Sequence, residues 1–199
     1  MDTAVQGYKK MKHWDKRRYE IVGGGKYMPP SASFNHNRTI LRLYNAFSNI
    51  LDDKTFEFCY DVDTVFDSET TLRPDFKIIG DFSKIGKNIK GAPDFIAEVL
   101  SPSNSAHDLV TKKKLYEKHG VKEYWIVDIY SNNIHVYVLK DGSYGDPVIY
   151  HYFTDEEIQE IEDGYDDADK EQIKITEIIS HTFGGEIRVP IKKIFENIK

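Results

Sequence analysis

Two acids stand where a merely structural sequence would not put them. Asp75 follows Pro74 and opens the apolar run Phe76-Lys77-Ile78-Ile79, and Glu98 lies inside Phe95-Ile96-Ala97-Glu98-Val99-Leu100. Alternate side chains of a strand share a face, so Glu98 keeps company with Ile96 and Leu100. An ionised carboxylate there is costly unless it is paired, hydrogen-bonded or bound to a cation. Two carboxylates on neighbouring strands are the oxygen ligands a hard divalent ion takes, with water and phosphate oxygens completing its shell. An ion so held activates water and offsets charge on a phosphodiester under in-line attack. The structural alternative is that Glu98 pairs with a buried Lys or Arg and that Asp75 caps a turn. On the acids alone both readings stand.

Three consecutive lysines follow in a predicted helix, and their directions differ. At about 100° per residue, Lys112 falls within the apolar stripe of Leu109, Leu115 and Tyr116, whereas Lys113 sits at its edge and Lys114 points outward. Lys112 therefore faces the sheet that carries Glu98, unless its stem merely runs along that face to solvent. An Asp, a Glu and an inward Lys together suggest metal-dependent phosphodiester cleavage. Other candidates are plainer. Cys59, the sole cysteine, alternates within residues 56–62 as a small core residue and excludes an internal disulfide or a zinc site built on several thiolates. The seven histidines lack the His-Glu-x-x-His spacing of a zinc hydrolase. Gly23-Gly24-Gly25-Lys26 lacks the spacing and the Ser/Thr of a phosphate loop. Asp63 belongs to the strand before Asp75, but a slip in the alternation leaves its direction open.

The elements that must position these groups read as one α/β domain over residues 1–199, with a mixed sheet flanked by helices. Short strands over 18–22 and 26–28 flank the glycines as an N-terminal hairpin. Helical spacing of Ile40, Leu43, Phe47 and Ile50 predicts a helix from 35 to 51, and alternation predicts a strand over 56–66. Residues 76–79 and 95–100 are compact apolar runs, as in central strands covered on both faces. A helix over about 105–119 closes at Gly120. Strands are expected over 124–128 and 134–139, turning at 131–133. Further strands near 148–153 and 172–179 and a C-terminal helix over 190–198 complete the pattern.

With 199 residues, 40% hydrophobic and 13% aromatic, the chain is long and apolar enough for a real core. No apolar run approaches a membrane span and no apolar stretch follows the first lysines, so the expectation is a soluble, cytoplasmic protein with no membrane partner. Residues 154–171 hold ten acids against one lysine and carry −9, which leaves +3 on the remainder of a chain whose formal charge is −6. Basic residues cluster at 9–18, 84–90 and 112–114. The overall charge argues against tight, nonspecific polyanion binding and still allows a locally basic face.

At this point the sequence resembles a family. Tyr19-Glu20-Ile21-Val22, Met28-Pro29-Pro30-Ser31 and His36 match its early part, followed by Arg73-Pro74-Asp75 and Gly91-Ala92-Pro93-Asp94. Glu98-Val99-Leu100-Ser101-Pro102-Ser103, Asp108-Leu109, Lys112, Leu115-Tyr116-Glu117 and residues 120–128 continue the match, with a weaker echo at 190–195. The pattern is similar to the Uma-type (Uma-two) family of restriction-endonuclease-like proteins, in the PD-(D/E)xK nuclease superfamily, over about residues 18–139. The resemblance implies a restriction-endonuclease-like core and a metal-dependent endonuclease that hydrolyses DNA. It implies Asp75 and Glu98 as ligands of Mg²⁺, with Mn²⁺ as a substitute and the backbone carbonyl of Val99 as a third ligand. Leu100 stands where the superfamily lysine usually lies, two residues after the Glu; in this group the lysine has moved to the next helix, at Lys112. Glu20 matches an acid that supports the metal site, and His36 opens the first helix in a matching segment. The triple glycine at 23–25 is a departure, since relatives often carry an acidic residue beside the Gly. DNA is the implied partner, and a homodimer is an assembly left open. The rival readings are a non-catalytic nucleic-acid-binding or protein-interaction module on the same fold, and hydrolysis of a phosphodiester other than DNA.

Overall fold

The computed structural model describes residues 19–29, 31–101, 107–164 and 167–198. The basic cluster at 9–18, Pro30, Pro102-Ser103, residues 105 and 106 of the second expected helix, and Asp166 lie outside the described residues, as do the side chains of Asp108 and Leu109. The chain opens with β1 (Glu20–Val22), β2 (Gly25–Tyr27) and α1 (Phe34–Ser48), then β3 (Glu57–Cys59), β4 (Thr64–Val65), β5 (Thr71–Leu72) and β6 (Phe76–Ile79). After β7 (Ile89–Lys90) and β8 (Phe95–Val99), a π-helical stretch His107–Lys112 runs into α2 (Lys113–His119). The rest comprises β9 (Glu123–Asp128), β10 (Asn133–Lys140), β11 (Ser143–Tyr144), β12 (Val148–His151), α3 (Asp155–Gly164), α4 (Asp167–Gln172), β13 (Glu177–Ser180), β14 (Ile187–Pro190) and α5 (Lys192–Phe195).

The main sheet runs β11-β10-β9-β8-β6-β3, with β12 also paired to β10; β8 and β9 are parallel and the other pairs antiparallel. A smaller sheet, β2-β1-β5-β4-β7, carries the N-terminal hairpin, and β13 pairs with β14. Strand parity divides the core into two layers. Phe76, Ile78, Phe95, Ala97, Trp125 and Val127 pack on one face against Leu43 and Phe47 of α1 and against Ile194 and Phe195 of α5. Ile96, Leu100, Tyr124, Ile126 and Tyr137 point to the other face, where Leu72 and Tyr116 meet them. Full burial of a residue such as Phe47 contributes roughly 1.5–3 kcal/mol. Ser33 caps α1 by accepting the His36 N–H at 3.2 Å, and Gly120 closes α2 in the left-handed region, φ 80°, where a side chain would be strained. Among the described residues no helix is long and apolar enough to cross a membrane.

Several expected elements end elsewhere. The strand expected over 56–66 is two strands in different sheets, and the slip in its alternation is the break between them: Asp61 takes a positive φ of 51°. The helix expected over 190–198 is the short α5, because Pro190 pairs with Glu177 as the end of β14. The strand expected near 172–179 begins only at Glu177, since α4 runs to Gln172. The described part of the helix expected over 105–119 starts as a π-helical stretch rather than an α-helix.

Candidate active site

The β6–β8 ladder pairs Phe76 with Ala97, so one further step brings Asp75 opposite Glu98 on the face turned toward α2. Asp75 lies just outside the ladder and is held by its side chain: Oδ2 accepts the Val99 N–H at 2.8 Å and contacts His36 Nε2 at 3.0 Å. Its side chain keeps 21% exposure. Burial pushes the Asp75 carboxyl upward, but His36, Lys112 and the Val99 N–H outweigh it and hold the group below its ordinary value. Asp75 therefore caps no turn. Among the described residues nothing donates to its Oδ1.

Glu98, 1% exposed, is at the centre of a buried network. Its Oε1 lies 3.0 Å from Lys112 Nζ and accepts the Tyr116 hydroxyl at 2.6 Å. The same ammonium is 3.2 Å from Glu20 Oε1, which also accepts the Arg73 N–H at 2.9 Å. Lys112 is 3% exposed, whereas Lys113 lies over the Tyr137 ring at 4.3 Å and Lys114 is exposed. The helix periodicity thus picked the inward lysine. The ion-pair alternative for Glu98 is also realised, and its partner is Lys112 itself. Glu98 and Glu20 share the Lys112 ammonium, and Asp75 lies beside them in contact with His36.

These groups line a cleft of about 640 Å³. Glu20, His36, Asp75, Glu98, Val99 and Lys112 all reach it; Asp63 does not. Arg73 turns Asp63 aside, donating to its Oδ1 from Nε at 2.9 Å and from a terminal nitrogen at 2.7 Å. The oxygen donors on offer to a cation are the carboxylates of Asp75, Glu98 and Glu20. Carboxylate oxygens are the donor type that a hard divalent ion takes. Among the described residues no group of three or more His, Cys, Asp or Glu is spaced to grip a metal without help, so water or substrate oxygens must complete any shell.

Sequence reasoning missed three members of this neighbourhood. Tyr116 counted only as an apolar residue, though it sits one turn from Lys112 on the same face. Arg73 counted only as part of a motif. Lys77 is fully buried in β6, donating to the carbonyls of Val62 at 2.7 Å and Pro74 at 3.1 Å, and burial brings its pKa down to about 8. Its alternation with Asp75 was the available signal.

The family model described as "Putative restriction endonuclease", Uma2, matches residues 5–167. The chain belongs to the Uma2 family. The match extends beyond the expected core of 18–139 at both ends. A crystal structure described as a putative nuclease of the DUF820 family from Anabaena variabilis superposes with a TM-score of 0.66 at 15% identity, covering 89% of each chain. That likeness shows a shared fold, and the expected architecture of a mixed sheet flanked by helices with an N-terminal hairpin is the one found. No curated protein matches the chain.

Proposed function

We propose that this Uma2-family chain is a metal-dependent endonuclease that hydrolyses phosphodiester bonds in DNA. The observation that supports it most is the meeting of Asp75, Glu98 and an inward Lys112 in one cleft. Asp75 and Glu98, with the Val99 carbonyl, would hold Mg²⁺ or Mn²⁺. When bound, such an ion supplies a water of lowered pKa and offsets charge on the phosphate. Val99 and His36 hold Asp75 through Oδ2, and Oδ1 would be the oxygen offered to the ion. Glu20 and Tyr116 keep the Lys112–Glu98 pair in place. Lys112 in turn orients water or stabilises negative charge developing on the phosphoryl oxygens.

The buried Glu98–Lys112 pair favours a second reading, a non-catalytic nucleic-acid-binding or protein-interaction module in which that pair is permanent. Anomalous scattering from a Mn²⁺-soaked crystal separates the two. The enzyme reading expects a peak within ligand distance of both Asp75 and Glu98. An undisturbed Glu98–Lys112 pair with no peak at high Mn²⁺ supports the module.

A further inference from the structure

Tyr60 stands in the same cleft, 56% exposed, on the loop that joins β3 to β4. A lone exposed tyrosine is ordinary. This one is carried on a loop anchored at two of the three positions that follow it. Asp61 adopts a left-handed backbone, the carbonyl of Val62 accepts from the buried Lys77 ammonium, and Asp63 is gripped by the Arg73 guanidinium. A rigid loop presents its aromatic ring with little conformational entropy left to lose on binding. The cleft also has an apolar lining, Pro29, Ala32, Ile40 and Leu41, of which Leu41 remains 54% exposed.

The charges of the cleft point the same way. Four carboxylates, Glu20, Asp61, Asp75 and Glu98, line it with two permanent cations, Arg73 and Lys112, and both cations lie in ion pairs with carboxylates. Without a divalent ion, phosphate pairing inside this cleft is therefore weak, and a nucleic acid needs another source of affinity there. Stacking on an aromatic ring is one, and only an unpaired or extruded base offers its face. The volume of about 640 Å³ falls in the range of small-ligand sites and has room for a single base.

We propose that Tyr60 and the apolar lining form a subsite for an unpaired nucleobase, which makes the substrate single-stranded DNA, or duplex opened at the cleaved position. The proposal rests on the nuclease reading above and adds the form of the substrate. Fluorescence anisotropy with a labelled DNA oligonucleotide, single-stranded or annealed to its complement, tests it in chelator, where no cleavage interferes. The single strand should bind roughly tenfold tighter than the duplex, and Tyr60→Ala should weaken the single strand roughly 5–150-fold, the loss expected for one stacked base. Tyr60→Phe should keep the affinity, because the ring and not the hydroxyl is used. Phe82→Ala, which removes an exposed aromatic outside the cleft, should also leave it unchanged. Equal affinity for both forms, or a Tyr60→Ala variant that binds like the parent, overturns the subsite; cleavage by the parent in Mg²⁺ then leaves the nuclease reading standing. Neither binding nor cleavage of either DNA overturns both.

Discussion

Lys112, Lys113 and Lys114 are chemically identical, and only their surroundings rank them. Lys112 lies within hydrogen-bond reach of two buried carboxylates, 3.0 Å from Glu98 and 3.2 Å from Glu20. Removing one partner of a buried ion pair costs about 3–5 kcal/mol. Lys112→Ala should therefore unfold at lower urea and, where still folded, cleave roughly 10²–10³ times more slowly. Lys113→Ala loses an ammonium over Tyr137 and should cost about 0.5–1 kcal/mol. Lys114→Ala should match the parent in urea titration. Three equal losses would falsify the assignment. Asp75 gives a pH test at the same scale. Its carboxyl is held low, so the stability it contributes is full above the ordinary value of 3.8 and is lost as pH falls through the depressed one. His36→Ala removes the side-chain contact and leaves burial acting upward, so the acid limit of thermal stability should move to higher pH. An unmoved limit means His36 does not govern Asp75.

Elements carry the next level of the account. Glu123, buried at the start of β9, accepts Trp125 Nε1 at 2.6 Å, Ser180 Oγ at 2.7 Å and Thr182 Oγ1 at 2.6 Å, and so ties the β13–β14 hairpin to the main sheet. Burial raises its carboxyl against those three donors. Glu123→Ala leaves the donors without their acceptor and should cost roughly 3 kcal/mol. Hydrogen exchange should then rise over residues 177–190 and stay low over β8; uniform protection would show that the hairpin is held by other contacts. What was legible at this scale followed from period. Alternation exposed Glu98 and a 3.6-residue repeat exposed Lys112, because each broke a long apolar pattern. The two-residue strands β4, β5, β7 and β11 are too short to show any period. Lys77 broke the β6 pattern as clearly as Glu98 broke that of β8, but a strand lysine usually runs its stem to solvent, and only the nearby Val62 and Pro74 carbonyls mark it as buried. The direction of Asp63 depended on Arg73 across a loop, which no local pattern encodes.

Across the whole molecule, charge is sorted by location. None of the described residues of the acidic segment 154–171 lines the cleft, although the segment carries −9. Neutralising the exposed Glu156, Glu160 and Glu162 to Gln should thus change DNA affinity by less than about twofold at moderate salt. A large gain would mean that the segment competes with DNA for the cleft. The central claim is that Asp75 and Glu98 support metal-dependent cleavage of DNA, and the most direct measurement is conversion of supercoiled plasmid by the full chain in Mg²⁺ or Mn²⁺. The account predicts nicked or linear product that disappears with chelator and with Asp75→Asn, while Asp75→Asn still folds. Persistent cleavage in chelator or in Asp75→Asn, or an intact plasmid with both ions at saturating protein, would contradict it.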